Sequence, residues 1–208
     1  MIERLACELG RNDEAPNIEL AEYLCQSRDT DGSREIIDGM KGKDKAVAND
    51  CVKVLYEIGD RAPELIADYA DELITGLNSK NNRLVWGCMT ALAKITSIAA
   101  KPIYGRLDAI VFAYENGSVI TVDNSISVFA GLCKASKEYE ESVLPLLLSH
   151  LKICRPKEVP QHAERCSICF SSENAKAFIE ALESRYADLG APGQARVNKL
   201  LKSLRAMR

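Results

Sequence analysis

The sequence predicts an all-α fold, a right-handed α-α superhelix (an α-solenoid) of about five helical hairpins closed by a C-terminal capping helix. Three observations predict it. A shift of 37 residues brings three segments into register, apolar residues inside each segment keep the spacing of one helix face, and a helix N-cap residue opens each segment. With 208 residues, 47% hydrophobic and 27% charged, the chain has the composition of a folded globular protein. Aromatic residues are only 6%, and strictly alternating β-branched runs are absent, so helices are favoured over sheets.

The repeat begins with Asp44, Asn81 and Ser118, which coincide under the shift and are all good N-caps. Behind them fall Ala48, Val85 and Val122, then Val52, Met89 and Ile126, then Leu55, Leu92 and Phe129, then Ile58, Ile95 and Leu132. Counted from the first set these are positions i, i+4, i+7 and i+10, one face of an α-helix. A second helix follows each, over Ala62 to Leu77, Pro102 to Tyr114, Glu140 to Leu151 and Glu173 to Leu189. The shift aligns Ala70, Leu107 and Leu144; Leu73, Ile110 and Leu147; and Ile74, Val111 and Leu148. Pro63, Pro102 and Pro145 are expected at or near the starts of these helices, where a missing N–H costs little.

A weaker pair, about residues 16–27 and 33–40, opens the chain. The whole of 1–208 reads as one repeat domain: a degenerate pair over 1–43, regular repeats over 44–190, and a basic capping helix over 191–208. Neighbouring hairpins must stack, because one hairpin cannot bury its apolar face alone. In the cap, Val197, Leu200, Leu201 and Leu204 form an apolar stripe, and Arg196, Lys199, Lys202, Arg205 and Arg208 cover the other side.

Val52-Lys-Val-Leu-Tyr-Glu-Ile-Gly-Asp60 and Thr90-Ala-Leu-Ala-Lys-Ile95 resemble the first helix of a HEAT repeat, and Val143-Leu-Pro-Leu-Leu-Leu148 resembles the start of its second. The resemblance spans roughly 44–190, with a period close to that of HEAT and armadillo units. It implies a curved superhelix whose second helices line a concave face that grips partners.

The charge balance of −3 argues against a dedicated nucleic-acid binder, which usually carries a basic excess. Charge is nevertheless polarised. Residues 1–40 hold ten acids against four arginines, while 191–208 hold no acid. Oppositely charged ends suggest weak head-to-tail self-association. No apolar leader follows Met1, no apolar run reaches the roughly 18 residues of a membrane span, and the eight cysteines lie within helical patterns. A cytoplasmic protein with reduced thiols is the expectation.

One constellation has the composition of a zinc site: Cys154, His162, Cys166 and Cys169. The register argues for core packing instead, because Cys166 and Cys169 align with Phe129 and Leu132. On a single helix His162 and Cys169 would also lie about 10 Å apart along the axis. Pro160 requires that helix to begin late. No metal or other cofactor is therefore expected, although these four remain the residues at which one would bind. A thiol sensor at Cys166 and Cys169 is a further alternative.

No catalytic set is expected. The two histidines, His150 and His162, stand beside no nucleophile pattern, and His150 reads as a group near a helix C-terminus. Phosphate-binding glycine loops are absent. Asp71 and Asp108 coincide under the shift and Asp68 lies about a turn before Asp71, so these acids suit a basic partner. Trp86, the only tryptophan, is expected between adjacent repeats or as an interface anchor. Arg196, Lys199, Lys202 and Arg205 share a face that suits either phosphates or a solvated cap.

The leading expectation is thus a non-catalytic interaction and scaffold module for a protein partner along its concave helical face. The rival is a HEAT-like nucleic-acid-binding protein, or an enzyme resembling the HEAT-like DNA glycosylases. That rival implies a basic concave face and aromatics poised near a carboxylate, whereas this chain is acidic and has no Trp-Asp pairing.

Overall fold

The computed structural model describes residues 1–207 and is helical throughout, with no strand among them. After a short 3-10 turn at Ile2–Arg4, the helices are α1 (Ala15–Ser27), α2 (Thr30–Met40), α3 (Lys45–Arg61), α4 (Ala70–Gly76), α5 (Asn82–Ile95), α6 (Ala100–Tyr104), α7 (Leu107–Asn116), α8 (Val119–Ala135), α9 (Lys137–Ile153), α10 (Val159–Cys166), α11 (Ala175–Arg185) and α12 (Ala191–Ala206). With α6 and α7 taken as one interrupted second helix, these are five helix pairs and a terminal cap in chain order. The chain comprises two compact units, Met1–Ser125 and Ile126–Arg208.

The N-caps form as the repeat requires. Asp44 accepts from the N–H of Ala46 and Val47, Asn81 from that of Arg83, and Ser118 Oγ from that of Thr121. Asp29 does the same for α2 through Gly32. Side-chain oxygens thereby satisfy N–H groups that have no partner within the helix.

In the Met1–Ser125 unit, α3 is the centre, packed against α1, α2 and α5. Val52, Leu55, Ile58, Met89, Leu92 and Ile95 are fully buried, so the sequence register is the packing register. Gly87 lets α5 approach α3 closely, since a Cβ there would lie 2.7 Å from Val52 Cγ1. In the Ile126–Arg208 unit, Ile126, Phe129, Leu132, Leu147, Phe178 and Leu182 are buried, and Val197, Leu201 and Leu204 of α12 pack inward. The second-helix positions are less uniform: Leu73, Ile110 and Leu147 are buried, while Leu107, Val111, Leu144 and Leu148 are half-buried.

The second helices differ from the expected continuous segments. Ala62–Leu77 is broken into two 3-10 turns, Pro63–Leu65 and Ala67–Tyr69, before α4. Ile66 leaves helical geometry there and is fully buried. The segment from Pro102 to Tyr114 bends at Gly105 and Arg106, dividing α6 from α7. Pro145 is not near a helix start. It lies inside α9, which begins earlier, at Lys137. The bond its missing N–H would make to Glu141 is lost on an exposed side of the helix, where water can replace it. Pro160 does stand at the start of α10. No described helix is long and apolar enough to cross a membrane.

Candidate functional site

On α3, Lys53 is buried, yet its Nζ meets Glu57 at 2.7 Å and Glu14 at 3.1 Å and lies 4.8 Å from the centre of the Tyr56 ring. Burial alone would lower the Lys53 pKa; the hydrogen bonds to Glu57, Tyr56 and Glu14 outweigh it and raise the value. Burial likewise pushes the Glu57 carboxyl up, but Lys53 and Arg61 more than reverse this and hold it below its ordinary 4.5. The pattern continues across helices. Arg61 reaches Glu57 at 2.5 Å and Glu22 at 3.4 Å, Arg83 reaches Glu14 at 2.8 Å, and Lys94 reaches Asp60 at 2.5 Å. Asn81 donates to Asn49 and Asn124 to Thr90. Trp86 is half-buried within this seam, its ring 6.0 Å from that of Tyr56 on the preceding first helix.

The second helices present acids of a different kind. Asp68, Asp71 and Asp108 are all exposed, Asp71 and Asp108 in the first turns of α4 and α7 and Asp68 in the 3-10 turn before α4. None takes part in an ion pair among the described residues, whereas neighbouring Asp38 pairs with Lys41 and Glu64 with Arg28. One turn beyond Asp108, Phe112 is 59% exposed and edges a shallow cleft of about 330 Å³ with Leu77, Lys80, Val85 and Asn116. Phe112 was not singled out from the sequence, because its position falls between the aligned core positions.

Two cations of the basic cap are engaged. Arg196 makes a two-pronged contact with Glu164 at 2.8 and 2.5 Å, tying α12 to α10, and Arg205 meets Glu183 of α11 at 2.7 Å. The Arg196 guanidinium holds the Glu164 carboxyl below its usual range. Lys199 and Lys202 are exposed, and Arg208 lies outside the described residues.

The structure brings together two of the four residues that composition marks as metal ligands and adds one that it does not. His150 on the last turn of α9, Cys154 just beyond its end and His162 on α10 converge, with their ligand atoms all within 4.8 Å of one another. His150 Nε2 and His162 Nδ1 share a hydrogen bond of 2.7 Å. Cys166 and Cys169 stand outside this group. Both are buried, as the register requires, Cys169 in a 3-10 turn that follows α10. Burial pushes the Cys154 and Cys166 thiols up. The hydrogen bond with Cys169, together with burial, raises the Cys133 thiol. All eight cysteines are free. The spacing of His150 and Cys154 by four residues was the available signal for the cluster, since it puts both on one side of a helix end.

Neither a family model nor a curated protein matches this sequence. Solved structures do. A designed armadillo repeat protein in complex with the peptide (KR)4 matches with a TM-score of 0.67 at 13% identity, covering 91% of this chain and 92% of its own. Two engineered proteins match with TM-scores of 0.66 and 0.63, each at 17% identity and over 99% of this chain, covering 98% and 96% of their own lengths. With its helix pairs, its repeat register and these neighbours, the chain has the all-α helical-repeat fold of armadillo- and HEAT-like proteins.

Proposed function

We propose that the protein is a non-catalytic interaction module that binds a basic segment of a protein partner on the face of its second helices, through Asp68, Asp71 and Asp108. The observation that carries this reading is the contrast in charge pairing within Met1–Ser125. The first helices neutralise their own charges, from Lys53 with Glu14 and Glu57 to Lys94 with Asp60, while these three carboxylates pair with no cation among the described residues. Unpaired, exposed carboxylates keep their full attraction for an incoming cation and raise its rate of encounter. Phe112, one turn from Asp108, offers an apolar seat beside the charge. The designed armadillo neighbour binds an alternating Lys-Arg peptide on the same fold, which supports a partner of this chemistry.

The cap cations fit this division. Arg196 and Arg205 are engaged by Glu164 and Glu183, which reduces the charge the basic face offers to nucleic acid or to the acidic end of a second copy, while Lys199 and Lys202 stay exposed.

The test is fluorescence anisotropy with labelled (KR)4 at several salt concentrations, on the full chain and on the Asp68→Asn, Asp71→Asn, Asp108→Asn triple variant. These exposed substitutions leave the core intact. The expected result is salt-sensitive binding that weakens at least tenfold in the triple variant. Equal binding by both proteins, or no binding by the full chain at low salt, would overturn the reading.

A further inference from the structure

The His150, Cys154 and His162 cluster is built as ligand sets are built and plays no part in peptide binding. Its residues are 5%, 8% and 0% exposed, and two of its three groups are the polar side chains that apolar cores ordinarily exclude. It lies wholly within the Ile126–Arg208 unit, where the end of α9 meets α10. Arg185 of α11 fixes the backbone there, donating to the carbonyls of Leu151 and Cys154 at 3.0 and 2.9 Å.

We propose that His150 Nε2, His162 Nδ1 and Cys154 Sγ form a three-ligand site for zinc(II). Two imidazoles and one thiolate are the donor types that a borderline-soft ion selects. Bonds of about 2.0–2.3 Å to a tetrahedral zinc separate its ligand atoms by roughly 3.3–3.6 Å. The observed atoms bracket that range, from 2.7 Å between the two nitrogens up to the 4.8 Å limit for the set. Zinc would require the two nitrogens, now 2.7 Å apart, to separate by about 0.6 Å.

The proton accounting is simple. The Cys154 thiol proton leaves to solvent as the sulfur–zinc bond forms. The proton held between the two rings moves to the other nitrogen of the ring that carries it, freeing both facing lone pairs. The thiolate offsets one positive charge of the ion; of the charged groups that act on Cys154, Arg185 opposes the ion and Glu158, itself paired with Arg155, favours it. Three protein ligands leave the fourth position to a water. Because the ion bridges α9 and α10, its binding energy adds directly to the stability of this unit.

The experiment uses the untagged 208-residue chain, reduced and stripped with a chelator, titrated with cobalt(II) and then zinc(II). The expected result is one cobalt per chain, with intense four-coordinate visible absorption and a thiolate-to-cobalt charge-transfer band, both abolished by one equivalent of zinc. Cys154→Ser removes the charge-transfer band and weakens zinc binding at least 100-fold. Cys166→Ala, buried nearby but outside the set, retains both signals. Zinc raises the thermal midpoint of the parent protein and of Cys166→Ala, and not that of Cys154→Ser. The absence of stoichiometric cobalt or zinc binding overturns the proposal. So does a charge-transfer band that survives in folded Cys154→Ser or disappears in folded Cys166→Ala. Circular dichroism establishes that each variant is folded.

Discussion

Two polar regions of this protein solve the burial problem in opposite ways. The seam around Lys53 places its polar groups at the edge of the core and answers each charge with another. Lys53 has Glu57 and Glu14, Glu57 has Arg61 as well, and Arg61 has Glu22. Its outer members remain partly exposed, so water shares the cost of holding ions near the core. The cluster at His150 has no such outlet. Three donor atoms are enclosed within 4.8 Å of one another, and none of the three side chains is a carboxylate. A seam that closes on itself explains stability and alignment of helices. A convergent set of two imidazoles and a thiol is the basis of the zinc site proposed here.

The contrast is broken most directly at His162. Replacing it with Ala in metal-free protein deprives His150 of its 2.7 Å partner and leaves a cavity where a fully buried ring stood. An unsatisfied buried group costs about 1–3 kcal/mol and a large-to-small core change adds to that, so a loss of about 3 kcal/mol is expected in urea denaturation. A loss below about 1 kcal/mol would mean that the pair is not held as tightly as its geometry indicates.

Much of this architecture was legible in the sequence because it depends on periodicity. The N-caps at Asp44, Asn81 and Ser118 and the helix faces ending in Ile58, Ile95 and Leu132, buried but for the half-buried Val122, are set by local spacing, which a 37-residue shift exposes. The breaks in the second helices were less legible. Ile66 leaves helical geometry while being fully buried, and Pro145 is tolerated because Glu141 is exposed, both matters of tertiary placement. The site residues divide in the same manner. Cys166 and Cys169 were placed correctly in the core by register. His150 was read only as a helix-end group, because its meeting with His162 depends on how α10 turns back after the Cys154–Glu158 connection.

Acid sharpens the comparison at intermediate scale. Glu57, Glu140 and Glu164 have folded-state values below their ordinary 4.5. A depressed carboxylate contributes stability that is present above its unfolded value and is lost as pH falls through its folded value. The urea midpoint should therefore hold near neutrality and decline from about pH 4.5 downward. Lys53→Met removes one of the two groups that depress Glu57 and should reduce the share of the decline that arises from the seam. It leaves the contributions of Glu140 and Glu164 unchanged. An identical acid profile in Lys53→Met would show that Arg61 alone holds Glu57.

The smallest effect is expected at Arg196, and it separates tethering from function. Arg196 grips Glu164 with two hydrogen bonds, but both side chains are more than 40% exposed, so water and salt screen the pair. Arg196→Ala should cost less than about 1 kcal/mol, and less still in high salt, because Val197, Leu201 and Leu204 continue to hold α12 against the core. Binding of (KR)4 should be unchanged, since the second-helix acids lie in the other unit of the chain. A large loss of stability would make the basic face of α12 a clasp on which folding of the terminal helix depends. A small loss leaves its apolar stripe as the cause of docking, with the cations serving to keep the end of the repeat array in water.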